Sequence, residues 1–230
     1  MIAQFENVTK IYRGEAGLKS ATFCLNQGDV VGLFGLNGSG KTTTLKLLSG
    51  LLHPDRGQIR IEGQDPRKAR DSISYLGDKA SFHQWMTPQH VEDFMAGLYH
   101  QFDRERFRTM IHTLTVPNSP IGQMSKGQSQ RLRLVATMAR KARLYLLDEP
   151  LSGIDLVSRE MIIKELIATW DQESVILLST HEIREVETFF DRGIYLKDGQ
   201  MVGNFRGEDL RAQGSGFTDE FIKINGGSQV

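Results

Sequence analysis

Apolar and polar positions change rhythm several times along this chain. In residues 3–12 (AQFENVTKIY) and 19–26 (KSATFCLN), apolar side chains recur at short intervals among polar ones, as in strands joined by turns. VVGLFG, residues 30–35, is continuously apolar and reads as a buried strand. TTTLKLLSGLL, residues 42–52, reads as a helix that stops near Gly50 and His53-Pro54. QIRIEG (58–63) and SISYLG (72–77) are further short strands. From Pro88 the period lengthens: Val91, Phe94, Met95, Leu98, Tyr99 and Phe102 fall on one helical face. Phe107, Met110, Ile111 and Leu114 continue it, and residues 125–142 form a third helix. The apolar strands RLYLLD (143–148) and SVILLST (174–180) then flank a helix over 156–170. RGIYLKDGQMV (192–202) reads as a hairpin, and INGGSQV at the end as unstructured. Strands alternating with helices predict an α/β fold with a mostly parallel sheet, interrupted by an all-helical insertion between about 80 and 140.

Bulk properties narrow this picture without redirecting it. The 230 residues are 39% hydrophobic and 24% charged, which suits one sizeable domain or two closely packed lobes. Lys and Arg number 28, as do Asp and Glu, so the formal net charge is zero. Dedicated nucleic-acid binders show a basic excess, and no nucleic-acid partner is expected here. Cys24 is the only cysteine, which rules out an intrachain disulfide and suits a reducing cytosol. The opening MIAQFENVTKIYRGE lacks the layout of a secretory signal. No apolar run approaches the ~18 residues needed to cross a bilayer. Work at a membrane would need a separate anchor.

Chemistry concentrates at a few points. Gly35, Asn37, Gly38, Ser39, Gly40, Lys41 and Thr42 fit the pattern G-x-x-x-x-G-K-[ST], placed between an apolar strand and a helix. Glycines let successive backbone N–H groups turn inward around phosphate oxygens, and the helix start adds its positive end. Lys41 would neutralise the β- and γ-phosphates, and the hydroxyl of Thr42, with Thr43 beside it, would lie at the Mg²⁺. LYLLDEP brings Asp148 to the end of a buried strand, where it can hold the Mg²⁺ water shell. Glu149 follows, placed to accept a proton from an attacking water. In SKGQ, Ser125 looks like a helix N-cap; its helix start either caps a further phosphate or is an ordinary cap. His181, directly after an apolar strand, reads either as a structural histidine or as a site residue.

The order GLNGSGKTT, MSKGQ, LYLLDEP, SGID and STH resembles the nucleotide-binding subunit of ABC (ATP-binding cassette) transporters, from about residue 2 to about 205. The resemblance implies a P-loop NTPase (RecA-like) core over about 1–80 and 141–205, with an N-terminal antiparallel β subdomain. It also implies a helical subdomain over about 81–140 that carries the signature, and a short tail over 206–230. It implies ATP and Mg²⁺ as ligands, and a head-to-tail dimer with a second ABC ATPase subunit, identical or related. Ser125, Gly127 and Gln128 of one subunit would meet the γ-phosphate held by Lys41 of the partner subunit. Asp155, in Ser152-Gly153-Ile154-Asp155, would link the two sites. His181 would hold the γ-phosphate and place the water that Glu149 activates, and Tyr12 would stack on adenine. Read without the family, Tyr12 is equally a strand-end residue packing on the core. A separately encoded transmembrane permease would hold the subunit at the cytoplasmic face of the membrane. The small size and the form of the signature are similar to those of exporters. A soluble ABC-type ATPase of iron–sulfur assembly or translation is the alternative.

Two positions depart from the family pattern. Lys126 stands where a first signature glycine is usual. Asp78 stands where a glutamine reaches Mg²⁺ after the strand SISYLG, with Gln84 as a second candidate in KASFHQWMT. A carboxylate there can bind the metal but cannot donate a hydrogen bond. Phe82, Trp85 and Met86 in the same loop either form an anchor pocket for the membrane partner or complete the lobe's own core.

Overall fold

The computed structural model describes residues 1–12, 15–77 and 82–226. Two sheets organise the chain. In the first, β1 (Ala3–Tyr12) lies between β2 (Glu15–Leu25) and β4 (Arg56–Ile61), all antiparallel. The second has six strands in the order β5 (Ile73–Leu76), β6 (Leu144–Asp148), β7 (Val175–Thr180), β3 (Val30–Phe34), β8 (Arg192–Lys197) and β9 (Gln200–Arg206). It is parallel except for β9, which returns antiparallel on β8 as the predicted hairpin.

The central strands read as unbroken apolar runs because both of their faces are covered. Val31, Leu33, Leu144, Leu146, Val175 and Leu177 face α1 (Lys41–Leu48) and the antiparallel sheet in one core. Phe34, Tyr145, Leu147, Ile176 and Leu178 face the other way, into a core shared with the remaining helices. Those helices are α2 (Pro88–Leu98), α3 (Arg104–Thr113), α4 (Lys126–Met138), α5 (Leu156–Thr169), α6 (Gly207–Ala212) and α7 (Phe217–Ile224). The helical insertion, α2 to α4, falls between β5 and β6 as the period change predicts. β3, β6 and β7 are neighbours, so three chain ends meet at one carboxyl edge of the sheet, the usual ligand edge of such folds.

Three expectations change. The first helix of the insertion ends at Leu98 rather than reaching Phe102, and its predicted apolar face is split. Val91 and Met95 are buried, whereas Phe94 and Leu98 are 50% and 58% exposed. Buried Glu92 takes the inner position instead, accepting from Arg104 and Arg108. The helix from Ser125 closes at Met138, four residues early, where Arg140 folds back over the Tyr99 ring at 4.0 Å. The segment after 205 is more than a tail, since α6 and α7 bury Leu210, Phe217 and Phe221. Residues 227–230, the end of the stretch expected to be unstructured, lie outside the described residues.

Candidate functional site

The glycine loop leaves β3 at the sheet's carboxyl edge. A side chain on Gly35 would meet Ser39 Oγ at 2.3 Å and the Leu196 carbonyl at 2.5 Å, so only glycine fits. Gly40 opens α1 at φ 108, with the Gly17 carbonyl of β2 pressed 2.7 Å from where a Cβ would stand. α1 has no side-chain cap, which leaves its first N–H groups available to an anion. Ser39 Oγ is buried and without a hydrogen-bond partner. Asn37 and Gly38 form the exposed crest of the loop, and Thr42 and Thr43 are half-buried on the first turn of α1.

Lys41 is buried, and its ammonium donates to the Gly35 carbonyl at 2.7 Å and the Leu36 carbonyl at 3.4 Å. It also lies 3.5 Å from Glu149 Oε1. The same carboxylate oxygen is 3.0 Å from His181 Nδ1. A carboxylate only accepts, so Nδ1 carries the proton in this contact. Glu149 holds φ 46, a left-handed backbone that non-glycine residues rarely adopt. Asp148 is buried beside it: Oδ1 accepts from Ser179 Oγ at 2.7 Å, while Oδ2 has no partner. Lys41, Asp148, Glu149 and His181, all named from the sequence, are thus brought together by the adjacency of β3, β6 and β7.

The residues fit ATP and Mg²⁺. Unsatisfied buried polar atoms in a native fold call for an explanation. A hydroxyl inside a glycine cradle and a carboxylate oxygen nearby suit a phosphate and a cation. α1, which carries Thr42, packs against β6, which carries Asp148. Among the described residues no group of three or more His, Cys, Asp or Glu could cage a metal. Magnesium is commonly held by one or two protein oxygens together with phosphates and waters. Asp78 lies outside the described residues.

Tyr12 sits beside the loop rather than in the core. Its ring rests against Gly17, 2.6 Å from where a Cβ would stand, and it is 42% exposed. Gly17 in turn abuts Gly40. Tyr12 thus presents an exposed ring face beside the glycine loop.

The signature residues occupy a different place. Ser125 caps α4 through a reciprocal box: Gln128 N–H donates to Ser125 Oγ at 3.2 Å, and Ser125 N–H donates to Gln128 Oε1 at 2.8 Å. Gly127 lies against the Gly153 carbonyl, and the Lys126 stem lies over Gly153 itself, so a lysine here points along the surface and leaves the cap intact. Asp155 caps α5 by accepting from Ser158 N–H at 3.0 Å, and that bond holds its carboxyl below the usual value. Gln84 packs against Gly122 just ahead of the signature. Met86 is buried in the lobe's core and Phe82 packs on it, while Trp85 is 62% exposed.

Sequence reasoning missed Ser179 and Gln130. Gln130, on α4, donates to the Glu149 and Pro150 carbonyls at 3.5 and 3.3 Å and ties α4 to the turn that carries Glu149. Neither carries a spacing signal; only strand register, Asp148 opposite Ser179, reveals the serine.

Comparison with known proteins agrees with this geometry. The sequence profile of the family described as ABC transporter matches residues 18–152. The SkfA peptide export ATP-binding protein SkfE of Bacillus subtilis is 32% identical over 87% of each chain. The aliphatic sulfonates import ATP-binding protein SsuB of Zymomonas mobilis is 32% identical over 80% of this chain and 77% of its own. Among solved structures, an ATP-binding subunit of an ABC transporter superposes with TM-score 0.86 at 24% identity, over 98% of this chain and all of that one. A dimeric ATP-binding cassette bound to ADP and phosphate superposes with TM-score 0.79 at 24% identity, over 89% and 98% of the two chains.

Proposed function

Because the chain belongs to the ABC transporter family, we propose that it is the ATP-hydrolysing subunit that powers a separate membrane-spanning permease. The observation that carries this reading is the convergence of Lys41 and His181 on Glu149 beside the glycine loop. An ATP triphosphate seated in the loop draws the Lys41 ammonium onto its β- and γ-phosphates and away from Glu149. Glu149 then accepts a proton from water, with His181 Nδ1–H orienting its carboxylate. Thr42 and Asp148 would hold Mg²⁺, whose charge would offset that developing on the phosphates.

Ser125 lies on the surface with its helix start facing outward, bonded to Gln128. In this reading that start completes the site of a second ATPase subunit, and ATP is enclosed head to tail between two copies. ATP binds the closed arrangement better than the open one and so shifts the population towards it. Among the described residues no helix is long and apolar enough to cross a membrane. The permease holds the subunit at the cytoplasmic face. A groove of about 500 Å³ lined by Leu51, Arg70, Tyr75, Met95, Leu98 and Arg140 separates the core from the helical insertion. Its apolar side chains, Leu51, Met95 and Leu98, offer the permease a seat.

Glu149→Gln tests the reading. It retains ATP binding, slows turnover by roughly 100-fold or more, and accumulates as a dimer with ATP in size-exclusion chromatography. A variant that stays monomeric in saturating ATP, while the wild type turns over, would falsify the sandwich.

A further inference from the structure

Ser179 ends the apolar stretch of β7, two residues before His181, and stands in register with Asp148 on β6. Its side chain is wholly buried. The hydroxyl donates to Asp148 Oδ1 at 2.7 Å. The Glu149 N–H donates to that same hydroxyl at 3.0 Å and to the Ser179 carbonyl at 3.2 Å. One small residue thus touches both acidic positions of the site, the side chain of one and the main chain of the other.

Two consequences follow from elementary geometry. A carboxylate is a rigid plane, so fixing Oδ1 aims Oδ2, and Oδ2 is the buried oxygen without a partner. The strained φ of Glu149 needs surroundings that hold it, and two acceptors on Ser179 share its N–H. A hydroxyl can donate and accept at once; an alanine would leave Oδ1 buried and unpaired and free the Asp148 plane to turn.

We infer that Ser179 is a positioning residue of the hydrolytic site: it aims the open oxygen of Asp148 at the magnesium–nucleotide and fixes the turn that carries Glu149. This rests on the ATPase reading above. Ser179 acts through its neighbours and touches no substrate.

The test compares the full chain with Ser179→Ala and Ser179→Thr. A fluorescent ATP analogue is titrated with Mg²⁺ and again with excess chelator, alongside steady-state hydrolysis and thermal melting. Ser179→Ala keeps the wild-type affinity in chelator, which also reports an intact fold. The gain in affinity on adding Mg²⁺ shrinks about ten-fold, the worth of one hydrogen bond to a charged group, and kcat falls more than KM changes. Ser179→Thr, which keeps the hydroxyl, recovers the Mg²⁺ response. A Ser179→Ala response to Mg²⁺ equal to that of the wild type overturns the inference alone. So does a parallel loss of both affinities with the melting temperature, which marks mere packing. A wild type whose affinity and turnover ignore Mg²⁺ overturns the ATPase reading, and the inference with it.

Discussion

Lys41 shows how much one residue can be asked to do. Its three donors find two loop carbonyls and, at 3.5 Å, the Glu149 carboxylate. An alanine there removes a buried cation from the glycine loop. Lys41→Ala is expected to weaken ATP binding at least ten-fold, about the value of one charged contact, in a nucleotide titration without metal. Unchanged affinity would remove Lys41 from the phosphate site. At this scale the sequence was most legible where backbone geometry dictates residue type. Gly35, Gly40 and Lys41 are fixed by sterics and charge, so their spacing announces them. Ser179 was illegible because a serine at the end of an apolar strand looks like any other, and its meaning comes from a strand 31 residues away.

The elements were legible in kind more than in facing. The period after Pro88 correctly announced helices, yet α2 turned Phe94 and Leu98 outward. A carboxylate between two arginines competes well for an inner position once its charge is paired, and hydrophobic counting does not register that. α6 and α7 escaped because each is short and flanked by glycines. Helix ends are better marked. Asp103 caps α3 by accepting from Arg106 N–H at 3.0 Å, and this bond, with Lys141 at 3.3 Å, holds its carboxyl below the usual range. A lowered folded value means stability that is present above the ordinary carboxylate pKa and lost as pH falls through the lowered one. Asp103→Ala should therefore cost about 1 kcal/mol at neutral pH, or some 2–4 °C in melting temperature (approximately) for a chain of this size. Melting curves of the two proteins should stay apart from about pH 7 to about pH 5 and converge towards about pH 3. A gap that widens in acid would refute the cap's role.

Across the whole molecule, the carboxyl edge of the sheet and α7 share one aromatic core. Phe34, the residue before the glycine loop, packs edge-on against Phe190 at 5.2 Å and against Phe217 of α7 at 5.7 Å. Tyr195 donates to the Phe217 carbonyl at 2.8 Å, and burial pushes its hydroxyl pKa upward. Glu187, six residues after His181, accepts from Thr218 N–H and Oγ. Phe217→Ala should cost about 3–5 kcal/mol, lowering the melting temperature by roughly 10 °C; a shift of a degree or less would mean that α7 is not integral to the fold. The same economy of parts governs the edge that carries Lys41 and Glu149. The lysine that sits against Glu149 is, on the proposed reading, the one that a triphosphate would claim for itself. By the same reading, an empty site keeps its own base paired, and the triphosphate that takes the lysine readies Glu149 as it arrives.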